Sequence, residues 1–173
     1  MRGTTARYHQ PGLSSTLGLS QDRSNVDCGV PEPLPSVPRR ILLVDADAFF
    51  VAVARWADPE GAGRAPYLLV GGTAEGRGIV CSASYSARAF GVKSAMPMSQ
   101  ALRLCPEAMC VPVPGKACRQ KHREIRAVLE KFSPVVQSAS IDEWYVDLAG
   151  TEAYYEHAPL DVIAHRMADG SQR

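Results

Sequence analysis

Two acidic stretches in this sequence have the chemistry to hold divalent cations. In Ser140-Ile141-Asp142-Glu143-Trp144-Tyr145-Val146-Asp147-Leu148, two adjacent carboxylates lie inside a run of strand-forming residues. Adjacent acids repel each other, and a hard, oxygen-seeking ion such as Mg²⁺ relieves that repulsion. Successive side chains on a strand point to opposite faces, so Asp142 and Glu143 share one ion only if the backbone turns or twists between them, as in a tight hairpin. A solvated hairpin tip carries the same pattern. In Ile41-Leu42-Leu43-Val44-Asp45-Ala46-Asp47-Ala48-Phe49-Phe50, four apolar residues bounded by an acid predict a buried strand with Asp45 at its C-terminal end and Asp47 capping the helix that follows. Asp45 and Asp142 are 97 positions apart, and two strand ends bearing carboxylates could meet in one sheet and hold two ions between them. That arrangement serves in-line phosphoryl or nucleotidyl transfer, one ion activating the attacking oxygen and the other steadying the leaving one.

Holding such acids in place calls for strands and packed helices, and the sequence supplies both. Ala48 to Arg55 is apolar nearly all round and predicts a packed helix, ended by Asp58-Pro59-Glu60-Gly61. Tyr67 to Val70 and Ile79 to Cys81 predict two strands joined by the glycine-rich residues 71–78, a hairpin loop without the Lys-Ser/Thr ending of a phosphate loop. Ser84 is placed to cap a short helix that sets Tyr85 and Arg88 three apart on one face. A guanidinium and a phenol at a helix start, aided by the helix dipole, make a cradle for phosphate oxygens. Ser94 to Leu104 predicts another short helix, stopped at Pro106. Lys116 to Phe132 predicts a long one, with Ile125, Val128, Leu129 and Phe132 on its apolar face and Arg119, Lys121, Arg123 and Arg126 on the other. Val135 to Ser138 leads into the acidic hairpin, and Asp161 to Met167 predicts a last helix.

The composition is that of an ordinary globular chain of 173 residues, 46% hydrophobic and 21% charged, enough for one modest core. A net charge of +1 hides an uneven distribution: residues 77–131 hold ten Lys/Arg against three acids, and residues 132–173 hold two against seven. A basic segment facing an acidic one suits a polyanionic substrate approaching a metal centre, and solvated helix surface gives the same count. Residues 1–38, closing on Pro31, Pro33, Pro35 and Pro38, cannot bury enough apolar surface to offset their ordering and predict a disordered tail. Five cysteines without a secretory signal favour reduced thiols. Cys81 and Cys105 fit apolar contexts, and Cys105, Cys110, Cys118 and His122 lack the Cys-x-x-Cys knuckle of a zinc site, so buried thiols are expected. No segment has the length and apolarity to span a membrane.

Three stretches taken together resemble a known family: Val44-Asp45-Ala46-Asp47-Ala48-Phe49-Phe50, then Ser84-Tyr85-Ser86-Ala87-Arg88-Ala89-Phe90-Gly91-Val92-Lys93-Ser94-Ala95-Met96-Pro97, then Ser140 to Leu148. In order, spacing and wording they are similar to the Y-family translesion DNA polymerases, closest to the bacterial DNA polymerase IV-like group, over about residues 40–165. The resemblance implies an α/β fold: an incomplete polymerase palm of mixed sheet and packed helices at 39–65 and 115–173, a small fingers subdomain at 66–114, and the tail at 1–38. It implies that Asp45, Asp142 and Glu143, with the backbone carbonyl of Ala46, hold two Mg²⁺ ions, Mn²⁺ being the alternative, for attack of a primer 3′ hydroxyl on a deoxynucleotide. Phe49 and Phe50 would line the nucleotide site, Phe50 as the steric gate against a ribose 2′ hydroxyl. Tyr85 and Arg88 would grip the β- and γ-phosphates, and Cys81 would lie near the nascent base pair.

The implied partners are primer-template DNA and deoxynucleoside triphosphates in the cytoplasm, with a sliding clamp left to parts that this chain lacks. Ala54 and Ser86 stand where the family usually has Glu, and Trp144 where it commonly has a small residue. By the resemblance, Arg173 precedes the rest of the palm, the thumb and the little finger, which predicts an exposed sheet edge and self-association. Two other functions are compatible with the motifs. One is a palm-fingers piece that acts only by binding; the other is a different two-metal phosphotransferase or nuclease, which would have no reason to carry Phe50 with Tyr85 and Arg88.

Overall fold

The computed structural model of the protein describes residues 4–8, 39–73 and 78–170. In chain order the elements are β1 (Thr4–Tyr8), β2 (Ile41–Ala46), α1 (Phe49–Ala57), β3 (Leu68–Gly71), β4 (Val80–Ala83), α2 (Tyr85–Arg88), α3 (Met98–Leu104), β5 (Met109–Val111), α4 (Gly115–Leu129), β6 (Val135–Ser138), β7 (Glu143–Asp147) and α5 (Leu160–Asp169). They form two sheets, one of order β1-β2-β7-β6 and one of order β4-β3-β5.

Alternation sets the first sheet. Leu42 and Val44 of β2 and Trp144 and Val146 of β7 are buried, while their neighbours in sequence are half-buried or exposed. The antiparallel register places Val44 opposite Trp144 and Leu42 opposite Val146. Behind that face lie Leu129, Phe132, Leu148, Tyr155, Ile163 and Met167, so α4 and α5 cover one side of the sheet. A slip of β7 by one residue would turn Trp144 and Val146 outward, each side chain worth roughly 1.5–3 kcal/mol when buried, and drive Glu143 toward the core. The Tyr155 hydroxyl is tied into this core by donating to the Phe132 carbonyl at 2.5 Å.

The second sheet is centred on β3, whose Leu68, Leu69 and Val70 are all fully buried. Leu69 packs with Val80, Val92, Met98 and Ala101 on the α3 side. Leu68 and Val70 pack with Val51 and Ala54 of α1 on the other. A strand covered on both faces reads as a continuous apolar run, which is why Tyr67 to Val70 shows no alternation. The strand pair β3–β4 is antiparallel, as the hairpin reading expects, and β5 adds in parallel.

Several expectations are corrected. Asp47 does not cap α1: the cap position is Ala48, in the left-handed region at φ 48° and ψ 35°, with no side-chain cap bond. The helix expected from Ser94 begins at Met98. Before it, Ala95 donates to the Val80 carbonyl and Val80 to that of Met96, so the residues ahead of Pro97 run beside β4 instead of coiling. Cys81 is exposed, because alternation along β4 turns it outward between buried Val80 and Ser82. Within the stretch expected to be a disordered tail, Thr4–Tyr8 is a strand paired antiparallel with β2 from Thr4 opposite Ala46 to Tyr8 opposite Leu42. That strand covers one edge of β2; residues 9–38 lie outside the described residues.

Two outcomes test this fold. Deleting residues 1–8 uncovers the β2 edge, and sedimentation velocity should then show concentration-dependent self-association beyond that of the full chain. Replacing Tyr155 by Phe leaves the Phe132 carbonyl unpaired and should lower unfolding free energy by about 1–2 kcal/mol in urea titrations.

Candidate active site

The same register that buries Trp144 brings two acids together. Asp45 and Glu143 are direct cross-strand partners. Their neighbours Val44 and Trp144 are in the core. The two acids therefore share the opposite face, where both are half-buried, with Cβ atoms about 4.5–5.5 Å apart. The ladder continues one step further, as the Ala46 N–H donates to the Asp142 carbonyl at 2.9 Å. The turn between β6 and β7 closes when Ala139 N–H donates to the Glu143 carbonyl at 2.9 Å. In it the Ser140 hydroxyl donates to Asp142 Oδ1 at 2.6 Å, so the Asp142 carboxylate is held within its own turn. Among the described residues, no three His, Cys, Asp or Glu side chains are close enough together to hold a metal ion.

Past Asp45 the left-handed turn at Ala48 redirects the chain into α1. Phe49 is buried with Val53 and Cys118 of α4. Phe50 is half-buried, meets Phe49 edge to face at 5.7 Å between ring centroids, and packs against both the α4 and the β3 clusters. Burial pushes the Cys118 thiol up; Arg119 opposes this and the charge of Asp142 adds to it.

Ser84 caps α2 as the sequence predicts, its hydroxyl oxygen accepting from Ala87 N–H at 3.3 Å and from Leu68 N–H at 3.1 Å. Arg88 Nε donates to the Ala83 carbonyl at 2.9 Å, and its guanidinium lies 5.2 Å from the centre of the Tyr85 ring. Both side chains are exposed. With four residues α2 has little dipole, so the positive charge offered here is that of Arg88 itself. The structure thus pairs Asp45 with Glu143, Phe49 with Phe50 and Tyr85 with Arg88. These pairs are linked through α1, which starts three residues after Ala46 and packs on β3 and β4.

The basic face of α4 is partly occupied. Lys121 pairs with Glu124 at 2.7 Å and sits 3.9 Å from the centre of the Trp56 ring, and Arg126 pairs with Glu130 at 2.8 Å; Arg119 and Arg123 are exposed. In the sequence alone His122 has no role beyond the zinc set that its spacing excludes. The structure stacks its ring on Trp144 beside the acidic turn. Its signal was its place on the line Cys118, His122, Ile125, Leu129 and Phe132, spaced four and three apart along the packed side of the helix.

The thiols offer a check on this packing. Iodoacetamide with peptide mass spectrometry should label Cys81 at least about tenfold faster than Cys118 or Cys105, because burial hides the last two and keeps them protonated. The sign with pH follows: a thiol pushed up forms thiolate only above the ordinary thiol range, so Cys118 labelling should lag through neutral pH and rise in alkaline buffer.

Comparison with known proteins agrees with these elements. Residues 44–170 match the impB/mucB/samB family. The chain is 42% identical over 129 residues to DNA polymerase IV of Gluconobacter oxydans (strain 621H), a match covering 75% of this chain and 35% of that protein. It is 38% identical over 152 residues to DNA polymerase IV 1 of Mesorhizobium japonicum, covering 86% and 34%. Among solved structures, a post-insertion binary complex of Dbh DNA polymerase superposes with a TM-score of 0.64 at 28% identity, covering 75% of this chain and 37% of that one. DinB from Sulfolobus solfataricus gives 0.63 at 29%, covering 75% and 37%. The chain spans about a third of the length of the relatives it matches. Its α/β architecture is that of the palm and fingers region of Y-family polymerases, and the chain belongs to the impB/mucB/samB family.

Proposed function

We propose that this chain carries the acidic and nucleotide-binding part of a DNA-directed DNA polymerase of the translesion type, which adds deoxynucleotides to a primer 3′ end. The observation that carries the reading is the direct pairing of Asp45 with Glu143 on the sheet face opposite the α4–α5 core, with Phe49 and Phe50 one turn downstream. The donor set fits Mg²⁺ or Mn²⁺, since such ions take one or two protein carboxylates and complete their shell with water and substrate phosphates. Asp45 and Glu143 would hold the ions, joined by the Ala46 carbonyl and by Asp142 once it gives up the Ser140 hydroxyl. Two such ions, when bound, supply activation of the primer hydroxyl and neutralise charge at the triphosphate.

The chain's own residues do the rest. Phe50, wedged between two clusters, presents a fixed ring against the sugar, and Phe49 locks it from behind. Arg88 and Tyr85 receive the β- and γ-phosphates, the guanidinium being braced by the Ala83 carbonyl. Exposed Arg119 and Arg123 offer positive charge to a DNA backbone. Primer-template DNA and deoxynucleotides are the partners of this reading, and the protein works in the cytoplasm on damaged templates. Among the described residues no helix is long and apolar enough to cross a membrane.

The deciding experiment is primer extension on an abasic template with Mg²⁺ or Mn²⁺, comparing the chain with its Asp142→Ala/Glu143→Ala variant. Extension should fall about a hundredfold or more in the variant. Metal-dependent shortening of the primer would replace this reading by a nuclease, and DNA binding without extension would leave a chain that acts only by binding. In the same assay Phe50→Ala should raise ribonucleotide use about tenfold relative to deoxyribonucleotide use; an unchanged ratio would remove Phe50 from the sugar site.

A further inference from the structure

The turn that carries Asp142 and Glu143 is gripped from α4 by one side chain. His122 Nδ1 lies 2.9 Å from the Ile141 carbonyl oxygen, and its Nε2 lies 3.2 Å from Ser138 Oγ. Its ring stacks on the Trp144 indole at 5.0 Å between centroids and 25° between planes. A carbonyl only accepts, so Nδ1 bears the proton, and in the neutral ring Nε2 accepts from the Ser138 hydroxyl. Arg126 Nη1 donates to Ser138 Oγ at 3.5 Å, which completes a line of donors running from α4 through β6 to the residue before Asp142.

We propose that His122 is a positioning residue for the acidic turn: through Ile141 and Ser138 it fixes the backbone from which Asp142 and Glu143 project, and so sets the affinity of the site for divalent cations. The inference rests on the metal-binding reading given above. Its physical basis is that Asp45 and Glu143 stand side by side with Asp142 next in the chain, and like charges repel, so an unbraced turn would let Asp142 move away before any cation arrives. The strand ladder restrains that turn from one side, by the Ala46 N–H to the Asp142 carbonyl. His122 restrains it from the other, and its own freedom is removed by the Trp144 stack, the indole being fully buried. Groups that orient metal ligands without touching the ion commonly change metal affinity by about 10–100-fold when removed.

Two variants of the full chain separate the hydrogen bonds from the ring. His122→Phe keeps an aromatic ring for Trp144 and loses both bonds; His122→Asn keeps an amide N–H close to Nδ1 and loses the stack. Amide exchange at Ala46, whose N–H is bonded to Asp142, reads the turn without metal. Titration with Mn²⁺ followed by electron paramagnetic resonance, in the presence of a non-hydrolysable deoxynucleotide, reads the site. His122→Phe should exchange Ala46 faster and bind Mn²⁺ about tenfold more weakly, while His122→Asn stays close to the parent in both even if it melts lower. A His122→Phe chain that binds Mn²⁺ like the parent overturns the proposal, as does an Asn variant no better than Phe. Asp45→Asn should abolish Mn²⁺ uptake. A parent chain that takes up no Mn²⁺ overturns the metal reading instead, and Ala46 exchange then accepts or rejects His122 as the residue that holds the turn.

Discussion

Most of this structure depends on the pairing of β2 with β7 in a single register. Val44 and Trp144 meet on the covered face, and Asp45 and Glu143 meet on the opposite one. The two consequences are inseparable, because a strand has a period of two and cannot bury one set of residues without exposing the other. Apolar burial thus supplies a force that holds two like charges side by side. Trp144 is the largest fully buried side chain on that face, and among the described residues its indole N–H has no hydrogen-bond partner.

The helix α1 turns this local arrangement into a site with two halves. One flank, Phe49 and Val53, packs toward Cys118 of α4 beside the first sheet; the adjacent flank, Val51 and Ala54, packs toward β3 of the second. Phe50 lies where the two flanks meet and touches both clusters. Only a helix apolar on about half its circumference can serve two layers at once, which explains why Ala48 to Arg55 shows so little polar face. The left-handed Ala48 sets where that helix begins. A non-glycine residue in this region costs about 1 kcal/mol, and the turn tolerates it because the chain must reverse from strand to helix within two residues.

Helix α4 braces the arrangement from outside. Its packed line runs through buried Cys118 and Leu129 and half-buried Ile125, with His122 in the same line but turned to polar work against the turn at Ile141. A polar residue on a packed face is tolerated when its donors and acceptors are met, and both ring nitrogens of His122 have partners. On the far side of the helix the charges largely pair with their own neighbours, leaving Arg119 and Arg123 exposed.

The sequence by itself determined most of the elements and their kinds, though not β1 or β5. The apolar run before Asp45, the capped turn at Ser84, the line of Ile125, Leu129 and Phe132, and the acidic hairpin were legible because local periodicity and turn chemistry decide them. The family, too, was legible, since three motifs in fixed order are a local property of the chain. What only the tertiary structure decided were relations across distance. That Glu143, not Asp142, stands opposite Asp45 follows from register, and that Ser140 holds Asp142 follows from the turn's own bonds. That Cys81 faces outward depends on which side of β4 is covered, and that Thr4–Tyr8 lies along β2 depends on a long-range edge pairing that composition argued against. His122 belongs to the same class: its spacing marked the packed side of a helix, but its partners come from a strand and a turn 16 and 19 residues away, and no local pattern names them.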